Sequence, residues 1–324
     1  MCTQDKRFSA VCQVFSLEDE MEKSKAVIRV GLGGWEHEIF DQCFYPVPGM
    51  TSLEKLGYYS QYLSTVEVRA SFWDGDLTEA DAREWMEAVQ DNPAFRFNVK
   101  LHHEFTHKKS VRTELTRKVR GLLQELLRAG KFGTLVMQFP YSFTNTSSNR
   151  YHLAKLGEIF AGFPSHVELR HESWHEPGLL AFLQENTLGI VSADIPRIRH
   201  YMPFVAGVTG PSAYLRLHGR NEKGWLLNAY DARYDYLYNE RESREITRRV
   251  NALESRCSNV TIICNNTTAG KAIPLAFHLL SAIRGGRPVP VPAASLSSFP
   301  FIRTTALTPE GATPLLHPAL RAAI

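Results

Sequence analysis

Glu168, Arg170 and His171 fall within four positions of one another in the stretch His166-Val-Glu-Leu-Arg-His-Glu-Ser-Trp174. Comparable groups close or carry other short apolar runs: Glu67 and Arg69, Lys100, Gln138, Asp194, Arg216 and His218, and Asn265. Two carboxylates, Glu67 and Glu168, suit general acid–base work, in which one group gives a proton and the other takes one. His218 carries the ring that can shuttle a proton near neutral pH. Lys100, Arg170 and Arg216 supply cations for a phosphate or carboxylate, and the planar guanidinium fork grips such anions through two bonds. Gln138 and Asn265 add amides that orient a bound group. A Schiff-base role for Lys100 requires an amine with a depressed pKa.

Two alternatives stand beside that reading. Glu168, Asp194 and His218 make a carboxylate–imidazole set for a divalent metal, although no HxH or HExxH spacing accompanies it. An isolated buried ion is costly, so Glu67, Glu168, Arg170 and Arg216 read equally well as a structural ion-pair network. Lys100 and His218, last on their strands, are expected nearer the open end. Arg220, His103, His107 and the tyrosines from Tyr230 to Tyr238 extend the cationic and aromatic set toward a nucleotide or nucleic acid.

These side chains need elements that bring them to one place. Apolar or β-branched runs predict strands over 26–31, 65–69, 95–100, 134–139, 166–169, 189–194, 213–218 and 260–265. Helical spacing fills most of the intervals. Thr51 with Glu54 and Thr78 with Asp81 carry the capping-box offset. Leu115, Val119, Leu122, Leu123 and Leu126 form one apolar stripe that Gly130 terminates. Further helices are expected over 148–160, 177–186, 242–256 and 271–283. Eight such alternations predict an α/β fold: a single TIM-type (β/α)₈ barrel with N- and C-terminal extensions, whose strand ends converge on one mouth. The expected division is an extension over 1–25, the barrel over 26–284, and a Pro-, Ala- and Ser-rich tail or wrapping arm over 285–324. Gly31, Gly33 and Gly34 mark a tight turn or a close backbone approach.

The motifs also resemble a known family. Gly31-Leu-Gly-Gly-Trp35, Phe44-Tyr-Pro46, Thr65-Val-Glu-Val68 with Ser71-Phe72, Phe97-Asn-Val-Lys100 and Gln138-Phe-Pro140 follow one another in order. Val167-Glu-Leu-Arg-His171, Ala193-Asp194, Tyr214-Leu-Arg-Leu-His-Gly-Arg220 and Asn265-Asn266 complete the series. Together they resemble the DUF72 (YecE-like) family over residues 27 to about 284. The resemblance implies a TIM-type barrel and carries no activity over. The chain departs from that family's pattern at Leu32, Gly33, Arg69, Ala70, Ser71, Trp73, Thr267 and Thr268, positions that the resemblance places around the mouth.

Composition narrows the setting. A net charge of +3, from 37 basic and 34 acidic residues, is too close to neutral to demand a nucleic-acid partner. The five cysteines, Cys2, Cys12, Cys43, Cys257 and Cys264, are scattered and odd in number, which suits a reducing compartment. No apolar run approaches the roughly 20 residues of a membrane span, and the N-terminus lacks a signal-peptide pattern. The expectation is a cytoplasmic protein without membrane contact. The sequence identifies no cofactor; a divalent metal is the alternative to none. The leading functional expectation is an enzyme of hydrolase or lyase type acting on an anionic, phosphorylated substrate. A non-catalytic nucleotide- or nucleic-acid-binding barrel and a metal-dependent nuclease or isomerase are the alternatives.

Overall fold

The strand register decides which side chains meet. In the computed structural model, which describes residues 26–227 and 230–307, eight strands run in chain order. They are β1 Val27–Leu32, β2 Thr65–Val68, β3 Arg96–Lys100, β4 Phe132–Gln138, β5 Ser165–Glu168, β6 Gly189–Asp194, β7 Ser212–Leu217 and β8 Asn259–Cys264. Each pairs in parallel with the next, and β8 returns to β1, closing the barrel. Glu67 pairs with Asn98, Lys100 with Val136, Gln138 with Glu168, and Arg216 with Ile263. Paired residues on neighbouring strands share a face, so this register turns Glu67, Lys100, Gln138, Glu168 and Arg216 toward the lumen. Val136, Val191, Tyr214 and Ile263 form a small apolar cluster separate from the main core.

Seven longer helices cover the outside: α1 Ser52–Ser60, α2 Glu79–Ala88, α3 Thr113–Arg128, α4 Ser147–Ile159, α5 Leu179–Glu185, α6 Glu240–Glu254 and α7 Ala272–Ile283. Capping boxes open α1 at Thr51 and Glu54, α2 at Thr78 and Asp81, and α6 at Asn239 and Glu242. On α3 the predicted stripe is the buried face, with Leu115, Leu122, Leu123 and Leu126 against the core. Between β6 and β7 the chain forms no helix. On the outer side of β6, α5 packs against the strand and Arg249 of α6 bonds to Asp194 at its end.

Past α7 the chain is more ordered than its composition suggests. Val289–Pro290 (β9) pairs in parallel with Ala306–Leu307 (β10), and α8, Ala293–Ser298, lies between them in sequence. Ser295 Oγ donates to the Cys43 carbonyl at 2.7 Å, fastening this arm to the β1–α1 connection. The expected extension over 1–25 lies outside the described residues, as do 308–324 of the expected tail. Among the described residues, no helix is long and apolar enough to cross a membrane.

Candidate active site

Arg216 is the centre of the lumen. Its side chain is almost fully buried, with Nη2 at 2.7 Å from Glu67 Oε1 and Nη1 on Glu168 Oε2. Glu67 also accepts from the Tyr214 hydroxyl at 3.0 Å. The second oxygen of Glu168 receives Arg170, at 2.6 Å from Nε and 2.5 Å from Nη2. His218 Nε2 stands 3.3 Å from that same oxygen, and Asn265 Nδ2 lies 2.9 Å from His218 Nδ1. With Nδ1 accepting from the amide, the ring proton sits on Nε2, facing the carboxylate.

The electrostatics follow from this crowding. Burial alone would raise the Glu168 carboxyl, but Arg170, Arg216 and His218 outweigh it and hold it well below the usual carboxylate range. Burial pushes His218 down to about 3, beyond the opposing pull of Glu168, so the ring is neutral at physiological pH. Burial also lowers Lys100, to about 7; Arg216 and Arg69 add to the effect while Glu67 and Glu168 oppose it.

Above this network, at the C-terminal ends of the strands, lies a cavity of about 350 Å³. Its walls carry five cationic side chains, Arg69, Lys100, Arg170, Arg216 and Arg233. Phe72, Trp73, Tyr141, Tyr201, Trp225 and Tyr234 supply aromatic faces, and His107, Gln138, Pro140 and Asn265 complete the lining. No carboxylate is among these residues. The Lys100 ammonium nitrogen sits 3.7 Å from the centre of the Phe72 ring, and the Arg170 guanidinium 4.9 Å from that of Trp225. Tyr141 and Tyr201 lie ring on ring, with centroids 4.6 Å apart and planes inclined by 30°.

Glycine shapes one wall. A Cβ at Gly33 would fall 2.1 Å from Asn265 Oδ1, and one at Gly31 would meet the Thr65 carbonyl oxygen at 1.9 Å. Gly31 within β1 and Gly33 just after it therefore admit a neighbouring strand and the Asn265 amide. At the same edge Arg69 Nη1 lies 3.2 Å from His37 Nε2 and donates to the Gly33 carbonyl at 3.3 Å. Burial and the adjacent Arg69 lower His37 to about 4.

Of the residues singled out in the sequence, Lys100, Gln138, Arg170, Arg216 and Asn265 line the cavity. Glu67 and Glu168 lie beneath it, within the ion-pair network. His218 departs from expectation: it is fully buried rather than at the open end, because Asn265 and the ring of Trp225 cover it. Asp194 departs further. It has the opposite parity to Ala193, which pairs with the lumen-facing Arg216, and so projects to the outside of the barrel. There it accepts from Arg220 at 2.8 Å, Arg249 at 3.1 Å and the Tyr238 hydroxyl at 2.7 Å. Glu168, Asp194 and His218 thus do not converge. Among the described residues, no group of three His, Cys, Asp or Glu side chains is placed to hold a metal. Arg220 and Tyr238 belong to this outer cluster, and Tyr236 bonds to Glu242.

Sequence reasoning passed over Phe72, Tyr141, Tyr201 and Arg233 as site residues and treated Trp73 only as a departure. Phe72 and Trp73 sit one turn beyond β2, and Tyr141 follows the β4 motif Gln138-Phe-Pro140, so position after a strand was the available signal. Arg69 and Trp73, both departures from the resemblance, are cavity-lining, so the wall has one cation and one indole at those places.

The sequence profile of the family described as "Protein of unknown function DUF72" matches residues 29–295. The chain belongs to this family. A DUF72 family protein (TM1631) from Thermotoga maritima MSB8 superposes with a TM-score of 0.70 at 25% identity, over 80% of this chain and 99% of its own. The DUF72 family protein ef0366 of Enterococcus faecalis V583 gives 0.71 at 27% identity, covering 80% and 96%. In sequence, UPF0759 protein YunF of Bacillus subtilis (strain 168) is 29% identical over 280 residues, 79% of this chain and 95% of that protein. The DUF72 match ends at 295, inside α8, so it takes in the residue that fastens the arm to Cys43.

Proposed function

We propose that the barrel mouth binds a small phosphorylated substrate and carries out an acid–base step on it. One observation supports this above the rest: a cavity with four arginines, a lysine and no carboxylate in its lining. Guanidinium groups in a partly dehydrated cavity favour a phosphate over water, and Arg170 and Arg216 are held in place by Glu168 and Glu67 beneath. In this reading the two carboxylates position the anion-binding arginines, and Glu168 stays ionised. Lys100 is the cavity group whose protonation changes near pH 7, which suits it to take or give the proton. A hydrolase or lyase fits such a set.

The aromatic walls support a second reading, in which a nucleotide is held without turnover. Stacking on Tyr141, Tyr201 or Trp73 would then supply binding energy to a base. The volume suits one nucleotide and not a duplex.

The test is thermal unfolding with inorganic phosphate, pyrophosphate and adenosine monophosphate. A ligand that binds the folded state raises the midpoint in a saturable way. The proposal expects that rise, and expects it to be lost in Arg233→Gln and Arg69→Gln. Equal midpoints with and without every anion would remove it. Stabilisation by the nucleotide alone would favour the second reading.

A further inference from the structure

Lys100 closes β3 and places its amine in the cavity wall, partly exposed to it. The amine has no hydrogen-bond or ion-pair partner among the described residues; its nearest neighbour of note is the Phe72 ring. The two carboxylates within range are already engaged, Glu67 by Arg216 and Tyr214, Glu168 by Arg170, Arg216 and His218. A further positive charge here would face Arg69, Arg170 and Arg216 with no acid left to neutralise it. The amine is therefore poised as a free base, with a lone pair open to the cavity. A lysine meant only to grip an anion gains nothing from such placement, because a neutral amine holds phosphate poorly. Placement beside arginines that can hold the anion suits a nucleophile.

We propose that Lys100 forms an imine with a phosphorylated aldehyde or ketone held in the mouth cavity. The proposal deepens the anion-binding reading above and rests on it. The nitrogen lone pair attacks the carbonyl carbon, and the carbonyl π electrons move to oxygen. The resulting carbinolamine loses that oxygen as water, taking both hydrogens of the amine, which leaves a C=N bond. No oxidant or reductant is consumed. Protonation of the imine nitrogen from solvent makes the carbon an electron sink, which permits bond cleavage or proton loss at the neighbouring carbon.

The experiment traps that bond. Purified protein is incubated with pyridoxal 5′-phosphate, and in parallel with dihydroxyacetone phosphate, then reduced with sodium borohydride and mapped by peptide mass. The expected result is one adduct per chain on Lys100, formed at neutral pH roughly tenfold or more faster than on any other lysine. Inorganic phosphate should compete with it, and Lys100→Met should abolish it in a protein that still unfolds cooperatively. Adducts spread evenly over surface lysines, or none, would overturn the imine; a phosphate-dependent rise in midpoint in that same sample would leave the anion site standing. Adduct at Lys100 that phosphate does not slow would instead overturn the phosphorylated substrate, and with it the reading of the cavity.

Discussion

Arg216 Nη2 and Glu67 Oε1 meet at 2.7 Å across the lumen, joining β7 to β2 through side chains that water does not reach. Removing one partner strands the other. Arg216→Met leaves Glu67 and Glu168 as buried carboxylates facing each other's charge. The expected loss is about 3–5 kcal/mol of stability, read from the midpoint of urea unfolding. A midpoint within error of the parent protein would show that the network is dispensable.

Lys100→Met should have the opposite sign. The parent protein holds an amine lowered to about 7, so between pH 7 and the ordinary lysine range the folded state binds fewer protons than the unfolded one. Its stability from this group consequently rises with pH across that window. Below pH 7 the cost of a buried ammonium is fully present. The Met variant should be the more stable protein at pH 6, and its advantage should shrink toward pH 10. The groups that set this behaviour are Arg216, Glu67, Arg69, Glu168 and His107. Unfolding curves at four pH values would show a constant gap if the amine titrated normally.

Asp194 provides a contrast outside the lumen. Asp194→Asn removes the charge shared by Arg220 and Arg249 and should destabilise the protein by about 1–3 kcal/mol. It should leave the phosphate-induced rise in midpoint unchanged, since the carboxylate faces away from the cavity. The same variant bears on metals. After chelator treatment, titration with Mg²⁺, Mn²⁺ or Zn²⁺ should give the same response in Asp194→Asn as in the parent. A stabilisation present only in the parent protein would bring back the three-residue metal set.

Gly33→Ala probes the wall. The new methyl would contact Asn265 Oδ1 at 2.1 Å, forcing the amide off His218. Overpacking of this kind costs about 1–3 kcal/mol. Loss of phosphate stabilisation in a folded Gly33→Ala protein would tie Asn265 to the site; full retention would confine its role to packing.

The fold was legible because it is written in local periodicity. The capping offsets at Thr51 and Thr78 and the stripe from Leu115 to Leu126 each depend on a few neighbouring residues. Alternation along β2, β5 and β7 likewise placed Glu67, Glu168 and Arg216 in one lumen. The same alternation separates Asp194 from Ala193, a parity that a list of strand-end polar groups ignores. His218 could not be placed by its rank on the strand, because its cover comes from Asn265 and Trp225, brought in from other parts of the chain. Tyr201 and Tyr141 reach the cavity from loops, and Arg233 from the one-turn helix Tyr230–Arg233, segments too short or irregular to have a period to read. The family resemblance reported the barrel and was silent on chemistry, so the carboxylate-free wall emerged only when those loops were in place.

Ser295 holds the carbonyl of Cys43 across 252 positions of chain. During synthesis the β1–α1 connection leaves the ribosome early and must wait for most of the protein before its fastening exists. Phe40 and Phe44, buried in the finished barrel, belong to this stretch. The arm therefore sets a time as well as a place: this contact can form only once the chain has been made as far as Ser295.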